Sequence, residues 1–204
     1  ERGIACMYSK EPTGLKWGRK LRRSAREGRL SLEEELQLFE LDRRDHISRA
    51  IQPALNAGGI VILDRYYWST AAYQGARGAD VAKIMESHAG FAPVPDIVLV
   101  LDLDPDRGLA RIRNQGDNPN PFEDPTALTA IREIFLSLAK SRPEGRIIPA
   151  DGNLKECFEE CLQVLIKAGM NKLAAGLSAE AAAEKLEEAS MLVGETTLYQ
   201  LSQQ

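Results

Sequence analysis

The residues best suited to chemistry stand directly behind apolar runs. Asp64 and Arg65 follow GIVIL, and Tyr66, Tyr67, Trp68, Thr70, Tyr73, Gln74 and Arg77 come within the next dozen positions. An arginine at the mouth of a strand can hold a phosphate through two parallel N–H bonds, and clustered aromatic rings stack on a planar base. The combination points to a phosphorylated aromatic ligand. Its structural rival is an aromatic-rich packing corner. Behind the run GIACMY come Ser9, Lys10, Glu11, Pro12, Thr13 and Gly14, and behind DIVLVLD come Leu103, Asp104 and Pro105. Two histidines, His46 and His88, have no second ligand at metal spacing, so they read as structural or surface residues and no metal site is predicted. Cys157 and Cys161 share a helix face at i and i+4 and read as packing residues.

Elements that would position these residues can be read from periodicity. Residues 3–8, 59–64, 96–102 and 146–150 are short apolar segments that read as strands. The second and third are β-branched runs without alternation, as in parallel strands covered on both faces. Between the strands lie segments with helical spacing. In 31–55, Leu32, Leu36, Phe39, Arg43, Ile47, Ile51 and Leu55 recur every three or four residues, Ser31 and Glu34 form a capping box, and Pro53 should kink or close the helix. Segments 126–138 and 154–166 look alike. The alternation predicts an α/β fold: an open, mostly parallel sheet with helices on both faces and ligands at the carboxyl ends of its strands. From about Gly169 the chain changes character, and 179–191 reads as an Ala/Glu/Lys-rich helix capped by Ser178. The expected organisation is therefore a domain over 1–168 and a helical extension over 169–204.

Composition narrows the classes. Of 204 residues, 44% are hydrophobic and 27% charged, which suits one globular domain with a sizeable core. The net charge of −4 argues against a protein that coats nucleic acid or an anionic membrane. No apolar run reaches the roughly 20 residues that span a bilayer. Three cysteines cannot all pair, and reduced thiols in a cytoplasmic chain are the plain reading. Charge is uneven: 16–29 hold seven basic residues against Glu27, while 151–204 hold four lysines against nine acids. The basic run fits a phosphate-facing surface or a solvated helix face equally well.

The ordered set EPTGLKWGRKLR, LFELDRRDH, PALNAGGIVILDRYYWSTAAYQGARG, PDIVLVLDLDPDRGLARIR, FED and IPADGN resembles bacterial thymidylate kinases from about residue 3 to about 168. The resemblance implies a P-loop nucleoside-monophosphate kinase fold and transfer of the ATP γ-phosphoryl to dTMP with Mg²⁺, in a cytoplasmic protein that can form a homodimer. By the same resemblance Phe39 stacks on thymine, Arg43 reaches the base and phosphate region, and Arg65 binds the dTMP phosphate. Asp64 is implied beside Mg²⁺ and the phosphates. Glu11, Tyr66, Thr70, Tyr73 and Gln74 are implied in the nucleoside pocket, with Tyr73 crowding the 2′ position. Lys10 stands where the family has arginine, and a lysine lacks the bidentate fork.

Two departures accompany the match. The phosphate cradle G-x-x-x-x-G-K-[ST] occurs nowhere in the 204 residues, and by the resemblance it belongs just before Glu1. The expectation is a sequence entered part-way through, whose first strand, cradle and first helix lie upstream, with the absent strand central in the sheet between 59–64 and 96–102. Residues 114–121 contain no arginine for the phosphates, so Arg111, Arg113 and Arg132 are the candidates for a catalytic cation. Rival readings are a deoxynucleoside kinase, with strand-end Glu11 as a candidate base, and a non-catalytic nucleotide-binding paralogue. Placement of Tyr73 against the sugar carries a test: dTMP should outbind its ribose form by about 1–3 kcal/mol in a competition experiment, and equal affinities would refute it.

Overall fold

Four short segments, two of them β-branched runs, become strands, all paired in parallel. In a computed structural model that describes residues 5–114 and 124–174, β1 (Cys6–Lys10) pairs with β2 (Ile60–Asp64) in register from Cys6↔Ile60 to Lys10↔Asp64. Strand β3 (Val98–Asp102) pairs with β4 (Gly145–Pro149) from Val98↔Gly145 to Asp102↔Pro149. Parallel neighbours need crossover helices, and the chain provides them: α1 (Lys16–Glu27), α2 (Leu32–His46) and α3 (Gln52–Asn56) lead from β1 to β2, and α6 (Pro105–Asn114) and α7 (Pro125–Ser141) from β3 to β4. Helices α4 (Tyr67–Gly75) and α5 (Val81–Ala89) connect the two pairs, and α8 (Leu154–Ala174) follows β4.

The sheet is divided between 59–64 and 96–102, where the sequence reading put an absent strand. Strands β2 and β3 share no ladder, and packing of α4 against α7, rather than strand pairing, joins the two halves. The expectation that both faces of the middle strands are covered is corrected. Positions 6, 8 and 10 of β1 and 60, 62 and 64 of β2 alternate outward on one face, leaving Tyr8 52%, Ile60 38% and Ile62 40% exposed. The same holds for Leu101 of β3 at 56%. Helix α3 contacts β2, whose positions 61 and 63 are partly covered. The main core lies elsewhere, where Trp68 and Ala71 of α4, Ile84 and Met85 of α5, Val100 of β3 and Leu138 of α7 pack together.

Local signals explain the helices. The Ser31 hydroxyl accepts from Glu34 N–H while the Glu34 carboxylate accepts from Ser31 N–H, which is the capping box read from sequence. The helical segment continues past His46 through a π-helical turn, Ile47–Ile51, in which Gln52 N–H donates to Ile47 C=O. Pro53 follows at once. Its ring excludes the usual carbonyl four residues back, and the wider turn removes that clash before the helix closes at Asn56. Gly18 of α1 lies so close to the preceding loop that a Cβ would meet Thr13 O at 2.1 Å, so only glycine lets α1 start here. Helix α8 runs without a break through residues 168 and 169. The tail segment 179–191 and most of 114–121 lie outside the described residues. No helix among the described residues is long and apolar enough to cross a membrane.

One ion pair ties β3 to α7. Arg132 donates from Nε to Asp102 Oδ1 at 2.6 Å and from Nη2 to Oδ2 at 3.0 Å. This bidentate contact holds the Asp102 carboxyl below its usual value, although burial acts the other way. The stabilisation is therefore complete above about pH 4 and fades as pH falls through the depressed folded value. Urea unfolding should show Arg132→Gln less stable than the parent near neutral pH, with the difference shrinking towards about pH 3. An undiminished difference in acid would contradict the assignment.

Candidate active site

Helix α2 places Phe39, Arg43 and His46 on one face, because residues three and four apart are neighbours on a helix. That face meets Glu11, which follows β1. Glu11, Arg43 and His46 are 6%, 1% and 3% exposed. Arg43 donates to Glu11 Oε2 from Nε at 2.9 Å and from Nη2 at 2.6 Å, and Nη2 also reaches Thr70 Oγ1 at 3.1 Å. The other Glu11 oxygen, Oε1, lies 3.0 Å from His46 Nδ1, and His46 Nε2 lies 2.8 Å from Ser9 Oγ. Arg43 Nη1 is buried and has no partner. A charged group taken out of water is tolerated only with such partners, and the two N–H bonds of Nη1 are donors without an acceptor.

The same loop is fixed to α2 by a second buried carboxylate. Asp42 accepts from Thr13 N–H at 2.7 Å and from Thr13 Oγ1 at 2.6 Å. Arg22 of α1 donates to the carbonyls of Pro12 and Thr13. Most of the basic run behaves as a solvated face, with Lys16, Arg19, Lys20, Arg23 and Arg26 exposed. Arg22 and Arg29 turn to the cavity described below.

At the mouth of β2, Arg65 has φ of 68°, a left-handed conformation uncommon for a residue with a Cβ. Strain of this kind persists where the surroundings over-determine it, and it collects at functional sites. Arg65 is exposed, its guanidinium lies 5.2 Å from the centre of the Tyr73 ring, and it makes no ion pair among the described residues. Tyr66 is half-buried with its hydroxyl unpartnered, and Arg43 lies 5.1 Å above its ring. Burial, followed by the Glu11 charge, pushes the Tyr66 phenol up, so it stays protonated and able to donate. Gln74 is held by its neighbours. It is 1% exposed, with Nε2 donating to Glu35 at 3.0 Å and Oε1 accepting from Arg77 at 2.7 Å. Glu35 also accepts from Arg77 and Arg29.

These groups surround a cavity of about 510 Å³ between the two strand pairs. Glu11, Phe39, Arg43, Arg65, Tyr66, Thr70, Tyr73 and Gln74 all line it. On the far side it is closed by Asp102, Asp104, Leu109, Arg132 and Phe135. Asp64 stands just outside, exposed at the strand end. Arg111 is not free in this structure: it donates to the carbonyls of Ala150, Asp151 and Gly152, and Arg107 pairs with Asp151. Arg113 is exposed at the end of α6 and does not line the cavity. The remaining singled-out residues pack. His88 is buried, stacks on Tyr67 and has its pKa lowered by burial, and burial with the Cys157 neighbour pushes the Cys161 thiol up to about 11. No group of three or more potential metal ligands occurs among the described residues.

Sequence reasoning missed the supporting residues Ser9, Glu35, Asp42 and His46. Ser9 stood in a strand-end segment and Asp42 and His46 in the LFELDRRDH motif, but nothing local showed which partners they would meet.

Comparison with known proteins shows the family. The family profile described as Thymidylate kinase matches residues 1–161. The chain is 44% identical over 171 residues to a thymidylate kinase of Xanthomonas euvesicatoria pv. vesicatoria (strain 85-10), covering 84% of this chain and 74% of that protein. It is also 44% identical over 165 residues to a thymidylate kinase of Xylella fastidiosa (strain M12), covering 81% and 75%. The solved thymidylate kinase of Ehrlichia chaffeensis matches with a TM-score of 0.62 at 25% identity, over 78% of this chain and 81% of that one. With the family profile spanning most of its length, the chain belongs to the thymidylate kinase family, a family of enzymes.

Proposed function

We propose that this protein transfers the γ-phosphoryl of ATP to dTMP, giving dTDP, and that the cavity between the strand pairs is the dTMP site. The observation that carries the reading is Arg65: an exposed guanidinium in a strained backbone conformation, with no counter-ion among the described residues, at the edge of a cavity that also holds Phe39, Tyr66 and Tyr73. Phe39 offers a face for the base. Arg43 Nη1 and the Tyr66 hydroxyl are donors for its oxygens, and Tyr73 lies beside Arg65, where sugar and phosphate would meet.

The chemistry asks little of a base. The second pKa of a phosphate monoester is about 6, so the attacking oxygen of dTMP is already ionised at neutral pH. What the reaction needs is alignment and positive charge. Arg65 supplies charge to the acceptor phosphate. Mg²⁺ binds phosphates with one or two carboxylates and retained waters, and Asp64, exposed and without an ion pair among the described residues, fits as such a carboxylate. When bound, the metal neutralises phosphate charge. The ATP cradle motif is not among these 204 residues, so what they supply is the acceptor side of the reaction.

Glu11 counts against the deoxynucleoside kinase alternative. That reaction wants a carboxylate free to take a proton from a 5′-hydroxyl, whereas both Glu11 oxygens are engaged by Arg43 and His46. Titration calorimetry with Arg65→Ala separates the readings. Binding of dTMP should weaken by about 1.5–3 kcal/mol while thymidine binding changes little. Equal weakening of both ligands would mean that Arg65 holds the fold rather than a phosphate.

A further inference from the structure

We propose that the outward face of α1 is an electrostatic collector that steers the anionic nucleotide towards the cavity. Within 16–29, seven basic residues stand against Glu27, a surplus of +6 in a chain of net charge −4, so the remaining residues together carry −10. The molecule as a whole repels a phosphate, and attraction has to come from where positive charge is gathered. In α1 it is gathered along one line. Lys16, Arg19, Lys20, Arg23 and Arg26 recur every three or four residues, which keeps them on one side of the helix over about 15 Å. All five are exposed, and none forms an ion pair among the described residues.

This arrangement works against the helix that carries it. Lys16 and Lys20, and Arg19 and Arg23, are like charges at i and i+4, which destabilise a helix. The first turn holds no acid, and Lys16 and Arg19 lie at the positive end of the helix dipole. A face needed only for solubility would mix its signs. The other side of α1 forms a wall of the cavity through Leu21, Arg22, Ser24 and Ala25. The stripe therefore stands about one helix diameter, roughly 10–12 Å, from the space in which a phosphate would lie. That is too far for contact but within reach of a field, since charges act over about 30 Å at 0.01 M salt and about 3 Å at 1 M. Such a field raises the rate of arrival and leaves the contacts that hold the bound ligand alone. Arg65 touches the phosphate, and α1 brings it there.

This inference rests on the reading of the cavity as a dTMP site. Stopped-flow binding, followed by the fluorescence of the cavity tyrosines at about 0.01 M ionic strength, tests it. The triple variant Lys20→Gln, Arg23→Gln, Arg26→Gln should take up dTMP about threefold to tenfold more slowly than the parent, with little change in dissociation. Thymidine, which carries no charge, should associate at the parental rate. At about 1 M salt the difference for dTMP should vanish. A second triple variant, Lys83→Gln, Lys155→Gln, Lys167→Gln, removes the same charge from exposed positions of α5 and α8, which do not line the cavity. It should bind dTMP at close to the parental rate. Equal slowing by the two variants, slowing of thymidine as well, a change confined to dissociation, or a difference that survives 1 M salt would overturn the inference. If dTMP binds and the α1 variant matches the parent, steering falls and the site stands. If the parent binds no dTMP, the reading of the cavity falls first and takes the inference with it.

Discussion

A guanidinium buried to 1% exposure cannot stand alone, and the arrangement of the site follows from how Arg43 is satisfied. Removing one partner of such a pair typically costs about 3–5 kcal/mol, because the other charge is left in a medium that solvates it poorly. Glu11 therefore has to be where it is. It comes directly after β1, its N–H donates to Asp64 C=O to extend the ladder, and the following Thr13 is held by Asp42. Helix α2 carries both Asp42 and Arg43 and so fixes the loop from one side, while β2 fixes it from the other. Ion pairs of this kind are weak evidence for stability. Their value here lies in geometry, since they decide which N–H of Arg43 is left over.

The cavity lies at the carboxyl ends of both strand pairs. Each strand pair closes its own crossover, and the walls of the cavity come from both: Glu11 and Arg65 behind one pair, Asp102 and Asp104 behind the other. The carboxyl ends of the strands are where an open α/β fold offers backbone and side chains to a ligand, and all four of these residues stand there. The exposed Ile60, Ile62 and Leu101 show that β2 and β3 are built from more apolar residues than their described surroundings cover.

Much of this was legible in the residues themselves. The four strands and the long helices were found to within a few residues, because β-branched runs and a three-to-four spacing are strong local signals. The ordered motifs pointed to the family, and of the side chains they implied Glu11, Phe39, Arg43, Arg65, Tyr66, Thr70, Tyr73 and Gln74 line one cavity while Asp64, Arg111 and Arg113 do not. Long-range polar pairing was not legible. Nothing local shows that Glu11 turns inward to Arg43, that Gln74 is locked by Glu35 and Arg77, or that Arg111 is spent on the carbonyls of 150–152. Those contacts join residues about thirty or more positions apart.

A crystal structure of the protein with dTMP tests the account most directly. The account predicts the base against Phe39 with a carbonyl oxygen within hydrogen-bond distance of Arg43 Nη1, the phosphate on Arg65, and the Arg43–Glu11–His46 contacts unchanged from those described. A structure in which Arg43 leaves Glu11 to reach the nucleotide, or in which the phosphate sits away from Arg65, would contradict it.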